Sequence, residues 1–243
     1  MSGWVDLHCH LLPGVDDGAK SLEDSLEMAR ALVDLGFSAV APSPHARPEY
    51  APPELVEARL AELRAALERE GLKLTLGRNA ENVLDDAFLR SLGTPAARML
   101  GAGPYVLVEL PYTTPVPALL DILFRIRTKG VKPVVAHPER CLEFERKGRA
   151  AEAVRAGALL QLDVGALTGR YGGTAKKLGR AFLEDGLYAL GATDLHAPVG
   201  ARDWVGKALA ELRARAGEQA FGRLMRDNPA RLLTGDALES EGD

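Results

Sequence analysis

Two histidines and two aspartates near the start of the chain, in the stretch DLHCHLLPGVDDG, have the types and spacing of metal ligands. Alternate side chains of an extended strand share a face, so His8 and His10 are predicted to point the same way and Cys9 the other way. Imidazole and carboxylate groups together suit Zn, Mn or Fe. An H-x-H pair alone indicates a metal only weakly, so the rest of the chain must supply partners.

Further groups of the same kind stand where other apolar, β-branched runs end, and all five histidines of the chain lie at such ends. The loops after parallel strands converge at one end of a sheet, so these groups are expected to meet there. Without cations they would desolvate and repel one another, which predicts a multinuclear metal site. The candidates are His8, His10, Asp17, His45, Glu81, Glu109, His137, Asp194 and His196, and Asp16 and Glu139 stand at the same strand ends.

Three neighbouring residue types have alternative roles. Arg140, in the segment AHPER, is predicted to hold an anionic substrate beside the cations through its bidentate fork. Asp16 is interpreted as a turn residue beside Gly18. Cys9 is predicted to be a core thiol, and a disulfide between Cys9 and Cys141 is disfavoured. A cysteine-based phosphatase is also disfavoured, because Lys147 stands where a Cys-(x)5-Arg loop that begins at Cys141 requires arginine.

Seven apolar runs alternate with amphipathic segments, which predicts strand–helix units. The runs are 4–9, 38–43, 72–77, 105–110, 131–136, 158–164 and 187–192, and the predicted helices are 21–36, 53–70, 84–92, 116–129, 147–156, 173–186 and 202–216. Evenly spaced units predict a parallel sheet with right-handed crossovers. We therefore expect an α/β fold that closes into a distorted (β/α)7 barrel, with an open doubly wound sheet as the alternative. The prediction is one domain over 1–243 with a mobile tail from about 235.

Composition excludes some partner classes. The formal net charge of −4 argues against nucleic acid or an anionic membrane as the main partner. The N-terminus lacks a signal-peptide pattern, and no apolar run approaches the ~18 residues that span a bilayer. A cytoplasmic location without membrane insertion is therefore expected.

With these residues in view, the chain resembles the polymerase-and-histidinol-phosphatase (PHP) family of metal-dependent phosphoesterases. Within that family it is most similar to the bacterial manganese-dependent tyrosine phosphatases of capsule and exopolysaccharide synthesis. The resemblance runs from DLHCHLLPGVDDGAKSLEDSL to DNPARLLTG, with HPER and TDLH in order between them. The opening H-x-H-x-L-P-G-x-D-D-G is its most specific part.

The resemblance implies a distorted seven-stranded barrel holding three divalent metal ions, with manganese favoured and iron or zinc as alternatives. It implies a phosphate-binding role for Arg140 and for a second arginine, Arg202, with Arg47 as the alternative. The chain departs from the family pattern around these positions, at Ala46, in NAEN and in ARDW. The implied metal ligands are His8, His10, Asp17, His45, Glu81, Glu109, His137, Asp194 and His196.

The activity that the resemblance implies is hydrolysis of a phosphomonoester, above all phosphotyrosine on a bacterial tyrosine kinase. Three alternatives stay open. One is a PHP phosphatase acting on histidinol phosphate or a nucleotide. Another is a metal-dependent amidohydrolase, although no lysine stands at a strand end to bridge metals. The last is a non-catalytic interaction module, which would be expected to have lost ligands.

Overall fold

Parallel strands dominate the computed structural model, which describes residues 3–47, 51–94 and 96–238. Strands β1–β3 form one hydrogen-bonded group and β4–β8 another, each with neighbours in chain order. The strands are β1 Trp4–Asp6, β2 Phe37–Val40, β3 Thr75–Leu76, β4 Glu81–Val83, β5 Tyr105–Glu109, β6 Lys132–Ala136, β7 Leu159–Asp163 and β8 Tyr188–Ala192.

Backbone contacts just beyond the strands close the two groups into a barrel. Cys9 and Leu195 form a parallel bridge that joins the extensions of β1 and β8, and His45 and Glu81 form another. Across the first closure, the amide of Asp194 donates to the carbonyl of His8 at 2.8 Å. The two places where the barrel closes therefore lie at residues that carry candidate ligand side chains or stand next to them.

Helices connect successive strands and flank the barrel. They are α1 Leu22–Asp34, α2 Pro53–Arg69, α3 Asp86–Ser91, α4 Leu119–Thr128, α5 Arg149–Arg155, α6 Gly172–Glu184, α7 Ala201–Gly222 and α8 Asn228–Thr234. Ser21 caps α1 by accepting a hydrogen bond from the amide of Asp24 at 3.1 Å. The chain leaves α1 through Gly36, whose φ of 91° suits glycine.

Apolar side chains from separated strands meet inside the ring, which only a closed sheet permits. Val5, Leu107, Val134 and Leu190 belong to one buried cluster, and Leu232 of α8 joins it. A larger cluster lies between the strands and the helices, and it includes Cys9 and Cys141 as free thiols. The helix α8 was not predicted from the sequence, and its Asn228 side chain donates to the carbonyl of Ala189 at 2.7 Å.

The predicted α/β architecture is confirmed, with one local difference. The third predicted strand, 72–77, is reduced to β3, which pairs with β2, and it is followed by a strand that was not predicted, β4, which pairs with β5. β3 and β4 follow each other at a single position of the barrel, beside β2 and its extension. The eight strands in the described part of the chain therefore occupy seven positions.

Two predictions concern the chain's surroundings and its C-terminus. Among the described residues, no helix combines the length and the apolarity needed to cross a bilayer. The predicted mobile tail from about 235 reaches into 239–243, which lie outside the described residues. Its first part is attached, since the hydroxyl of Tyr105 donates to the carbonyl of Asp236 at 3.1 Å.

Candidate metal centre

The nine predicted ligands lie at the carboxyl end of the barrel, each placed there by the end of a strand or the loop after it. His8 and His10 follow β1, His45 follows β2, and Asp17 precedes α1. Glu81 begins β4, in the segment that follows β3. The remaining side chains stand at the ends of later strands: Glu109 on β5, His137 after β6, and Asp194 and His196 after β8.

Glu81 occupies the middle of this group. Its Oε1 atom lies 3.0 Å from Nε2 of His137 and 3.3 Å from Nε2 of His8. Its Oε2 atom lies 3.1 Å from Nδ1 of His45 and 3.4 Å from Nε2 of His10. Two histidines therefore face each oxygen, which is an arrangement suited to a carboxylate that bridges two cations.

Asp194 lies against three histidines on another side of the group. Its Oδ1 atom lies 3.1 Å from Nε2 of His8, 3.4 Å from Nε2 of His10 and 3.6 Å from Nδ1 of His196. That oxygen is buried and accepts no hydrogen bond from the described residues. A buried carboxylate oxygen surrounded by imidazole nitrogens without hydrogen-bond geometry suits coordination of a cation.

Asp17 completes the group on its outer side. Its Oδ1 atom lies 3.5 Å from Nε2 of His45 and 3.6 Å from Nε2 of His196. The ring of His196 stacks on that of His10 with centroids 3.9 Å apart. Glu109 is peripheral, with its Oε2 atom 4.0 Å from Nδ1 of His45.

Four sets of ligand atoms are each close enough to share one ion, because all atoms of a set lie within 4.8 Å of one another. Every one of the nine predicted ligands belongs to at least one set. The sets are His10–Asp17–His45–His196, His8–Glu81–His137, His8–His10–Asp194 and His45–Glu81–Glu109.

Hydrogen bonds behind the cluster determine which imidazole nitrogens are available. Nδ1 of His8 lies 2.8 Å from Oε1 of Gln161, whose own amide donates to the carbonyl of Leu162, so that histidine nitrogen must be the donor. Nδ1 of His10 donates to the carboxylate of Asp16 at 2.7 Å. When the imidazoles are neutral, as metal binding requires, both Nε2 atoms then carry lone pairs that face each other at 3.4 Å. This donor set fits divalent cations, since opposed lone pairs need a positive charge between them.

Electrostatics of the metal-free cluster lead to the same conclusion. Burial alone would lower the pKa of His8, but the charges of Glu81 and Asp194 outweigh it and raise that pKa to about 9. Burial would raise the pKa of Glu81 and of Asp194, whereas the neighbouring histidines hold both well below the usual range. In the metal-free protein, protonated histidine therefore balances the negative charge of these carboxylates, as bound cations would.

Two of the clustered side chains depend on unusual backbone conformations. His137 has a φ of 31° and Asp194 a φ of 51°, and they are the only non-glycine residues with positive φ in the described part of the chain. His137 follows directly on β6, and Asp194 comes two residues after the end of β8. The left-handed conformation re-aims each side chain at the point where its strand ends.

Arg140 lies beside the cluster and is held on several sides. Its Nη1 atom donates to Oδ2 of Asp163 at 3.1 Å and to Oδ2 of Asp194 at 2.5 Å. Its guanidinium carbon lies 4.8 Å from the ring centroid of Tyr112 and 4.1 Å from that of Tyr171. The side chain is thereby fixed next to a candidate metal ligand.

The two other arginines considered from the sequence differ in placement. Arg47 lines a cavity of about 400 Å³ at the mouth of the cluster, together with Asp17, His45 and Glu109. The guanidinium of Arg202 forms an ion pair with the carboxylate of Asp34 on the surface.

The residues that hold the ligands and Arg140 in place were predicted less well from the sequence than the ligands themselves. Asp16 is a turn residue, since it accepts from the amide of Gly18 at 2.9 Å, but it also holds His10. Gln161 and Asp163, which support His8 and Arg140, were not considered. Their signal is present in β7, where two polar residues two positions apart interrupt the apolar run ALLQLDV.

Comparison with known proteins adds independent findings. Residues 4–234 match the family model described as "Capsular polysaccharide synthesis, CpsB/CapC". Tyrosine-protein phosphatase YwqE of Bacillus subtilis is 33% identical over 196 residues, which cover 79% of this chain and 77% of that protein. Tyrosine-protein phosphatase CpsB of Streptococcus pneumoniae is 25% identical over 238 residues, which cover 94% of this chain and 98% of its own.

Solved structures agree in fold. A crystal structure from a study of YwqE and CpsB as "unique metal-dependent tyrosine phosphatases" superposes with a TM-score of 0.88 at 28% identity, covering 97% of this chain and 96% of that one. A dihydroorotase superposes with a TM-score of 0.53 at 16% identity, covering 97% of this chain and 71% of its own, which shows likeness of fold alone. The match over residues 4–234 shows that the chain belongs to the CpsB/CapC family of capsular polysaccharide synthesis.

Proposed function

We propose that this protein is a metal-dependent tyrosine phosphatase that hydrolyses phosphotyrosine in proteins during capsular polysaccharide synthesis. The observation that carries the proposal is the clustering of nine histidine and carboxylate ligands beside a fixed arginine at the end of the barrel. Similarity to YwqE and CpsB supports the same activity.

The nine clustered side chains are the proposed ligands of three divalent ions. Glu81 would take part in holding more than one ion, because it belongs to two of the sets, and Asp194 would join His8 and His10 in holding another. When bound, such ions lower the pKa of water and neutralise negative charge on phosphoryl oxygens. Manganese is the proposed native metal, and iron or zinc would suit the same nitrogen and oxygen ligands.

Arg140 is proposed to bind the phosphoryl group. Asp163 and Asp194 hold one nitrogen of its guanidinium, and the planar fork offers further donors to phosphate oxygens. A phenolate leaves more readily than an alkoxide, so a tyrosine ester needs little help from a general acid. Arg202 is the proposed second phosphate-binding arginine, a role for which its ion pair with Asp34 must open, and Arg47 is the alternative at the cavity.

The proposed partner is a bacterial tyrosine kinase phosphorylated on tyrosine, encountered in the cytoplasm. The family's association with capsular polysaccharide synthesis supports this assignment. Dephosphorylation of the kinase would then regulate the synthesis of capsule or exopolysaccharide.

The test compares four substrates on metal-stripped protein before and after manganese is added. We expect turnover only with manganese, and faster hydrolysis of a phosphotyrosine peptide than of a phosphoserine peptide, histidinol phosphate or a nucleotide. His8→Ala, which removes a proposed ligand, should abolish the manganese response. Equal rates on all four substrates would contradict the tyrosine assignment, and full activity of verified metal-free protein would contradict the metal-dependent mechanism.

A further inference from the structure

The cavity at the mouth of the cluster has two unlike sides. Its polar side consists of candidate metal ligands and Arg47. Its other side, which we call the apolar wall, consists of Val83, Pro111 and Tyr112 above the buried Leu110. A ligand that matches both sides combines an anionic group with an apolar body.

Tyr112 is the largest residue of the apolar wall and is fixed in place. Its carbonyl accepts a hydrogen bond from the amide of Leu142 at 3.0 Å, which ties the loop after β5 to the segment that follows Arg140. The residue is 40% exposed although it carries a large aromatic ring. Exposed aromatic surface beside a polar cavity indicates a contact for a ligand.

The ring of Tyr112 also lies next to the group proposed to bind phosphate. The guanidinium carbon of Arg140 is 4.8 Å from its centroid, so a phosphoryl group held by Arg140 lies within one side-chain length of the apolar wall. In an aryl phosphate the aromatic ring is bonded directly to the ester oxygen. An alkyl ester such as phosphoserine has only a methylene group at that point.

We propose that the apolar wall, with Tyr112 at its centre, is a subsite for the aromatic ring of the substrate and selects aryl over alkyl phosphates. The inference rests on the proposed function and adds a specificity-determining residue to it. Aromatic pairs attract each other at centroid separations of about 4.5–7 Å, in offset or edge-to-face arrangements. Val83 and Pro111 extend the same surface along the cavity.

The chain offers a matched control for the contact between Tyr112 and the guanidinium of Arg140. Tyr171 also packs on the guanidinium of Arg140, at 4.1 Å, but it is not among the described residues that line the cavity. Loss of Tyr171 therefore disturbs Arg140 without removing the apolar wall. Tyr112→Ala removes both the centre of the apolar wall and the contact with Arg140, whereas Tyr112→Phe retains the ring that makes both.

The experiment measures calorimetric binding of phenylphosphonate and methylphosphonate to the manganese-loaded wild type, Tyr112→Ala, Tyr112→Phe and Tyr171→Ala. We expect Tyr112→Ala to weaken phenylphosphonate by about 5–10-fold and methylphosphonate by less than about twofold. Tyr112→Phe keeps the ring but loses the hydroxyl contact with Glu109, so its phenyl-to-methyl affinity ratio should match that of the wild type. Tyr171→Ala should weaken both ligands by the same factor. The ratio of kcat/KM for phosphotyrosine and phosphoserine peptides should follow the binding ratio.

Two results would overturn the subsite. One is an equal loss of both phosphonates in Tyr112→Ala, which would mean that the residue acts only through Arg140. The other is no loss of either. Failure of the proposed function has a different signature, because the wild type would then bind both phosphonates yet hydrolyse no phosphotyrosine peptide, while the phenyl-to-methyl binding ratio would still test the subsite.

Discussion

Asp16 accepts a hydrogen bond from Nδ1 of His10 at 2.7 Å, and this contact directs the other nitrogen of the imidazole into the cluster. Burial would raise the pKa of Asp16, but the hydrogen bond and the charge of His10 lower it to about 2. The same carboxylate accepts from the backbone amide of His45 at 3.1 Å. Asp16 thereby positions two candidate ligands without being one.

Replacing Asp16 with alanine should weaken manganese binding by about 10–100-fold, because a metal-bound histidine depends on the group that orients it. Manganese titration of the metal-stripped protein measures the effect. Asp86→Ala is the matched control, since Asp86 is an exposed carboxylate in the first turn of α3. Equal affinities of the two variants would show that His10 does not need this support.

Arg140→Lys should lower kcat/KM for a phosphotyrosine peptide by about 10–100-fold, because lysine retains the charge but not the planar fork. Metal affinity should change little, since Arg140 is not a proposed ligand. Arg146→Lys serves as control, because Arg146 is exposed on the same connection. A loss of metal binding in Arg140→Lys that is as large as the loss of turnover would argue against a role in substrate binding.

Arg202→Ala should lower kcat/KM by about tenfold if Arg202 leaves Asp34 to bind phosphate. Asp34→Ala frees the same guanidinium, so it should leave kcat/KM unchanged or increase it. Steady-state kinetics of both variants, beside Arg47→Ala, distinguish the two arginines. A loss that follows Arg47→Ala and spares Arg202→Ala would assign the role to the arginine that lines the cavity.

The metal-free protein should lose stability as the pH rises from about 6.5 to about 9. The folded-state pKa of His8 is raised to about 9, so its protonated form contributes stability that is fully present below about 6.5 and is lost above about 9. Over the same range manganese affinity should rise, because the ion no longer competes with that proton. Thermal unfolding with and without manganese measures both trends, and a metal-free midpoint that does not change with pH would contradict them.

Glu139→Gln should stabilise the protein at pH 8 and have little effect below about pH 4.5. Burial raises the pKa of Glu139 to about 7, despite hydrogen bonds from the hydroxyl of Tyr188 and the amide of Asp163, each at 2.8 Å. The wild type therefore loses stability between its unfolded and folded pKa values, on the order of 3 kcal/mol. Denaturant unfolding at the two pH values tests this, and a destabilised variant at pH 8 would show that the charge is needed.

Much of the site could be predicted because parallel strands place their ends together. The two-residue period of a strand gave the shared face of His8 and His10, whose Nε2 atoms are 3.4 Å apart. Glu109 was identified by the same reasoning, as a charged residue at the end of an apolar strand. Such local rules use only chain direction and alternation, both of which are visible in a sequence.

The remainder depended on contacts between distant segments. Gln161 supports His8 across 153 positions of the chain, and no local pattern connects them. The separation of β3 from β4 likewise depends on distant partners, since β3 pairs with β2 and β4 pairs with β5. Helix α8 was missed because it is short, although it follows the usual rule of proline in the first turn.

The left-handed backbone of His137 and Asp194 makes the active site a source of instability in its own right. Each such residue costs on the order of 1–3 kcal/mol, and only glycine adopts this conformation without that penalty. His137→Gly should therefore relieve backbone strain but lose a buried metal-binding side chain that contacts Glu81. Backbone strain at these two positions is therefore coupled to the direction in which each ligand side chain enters the cluster.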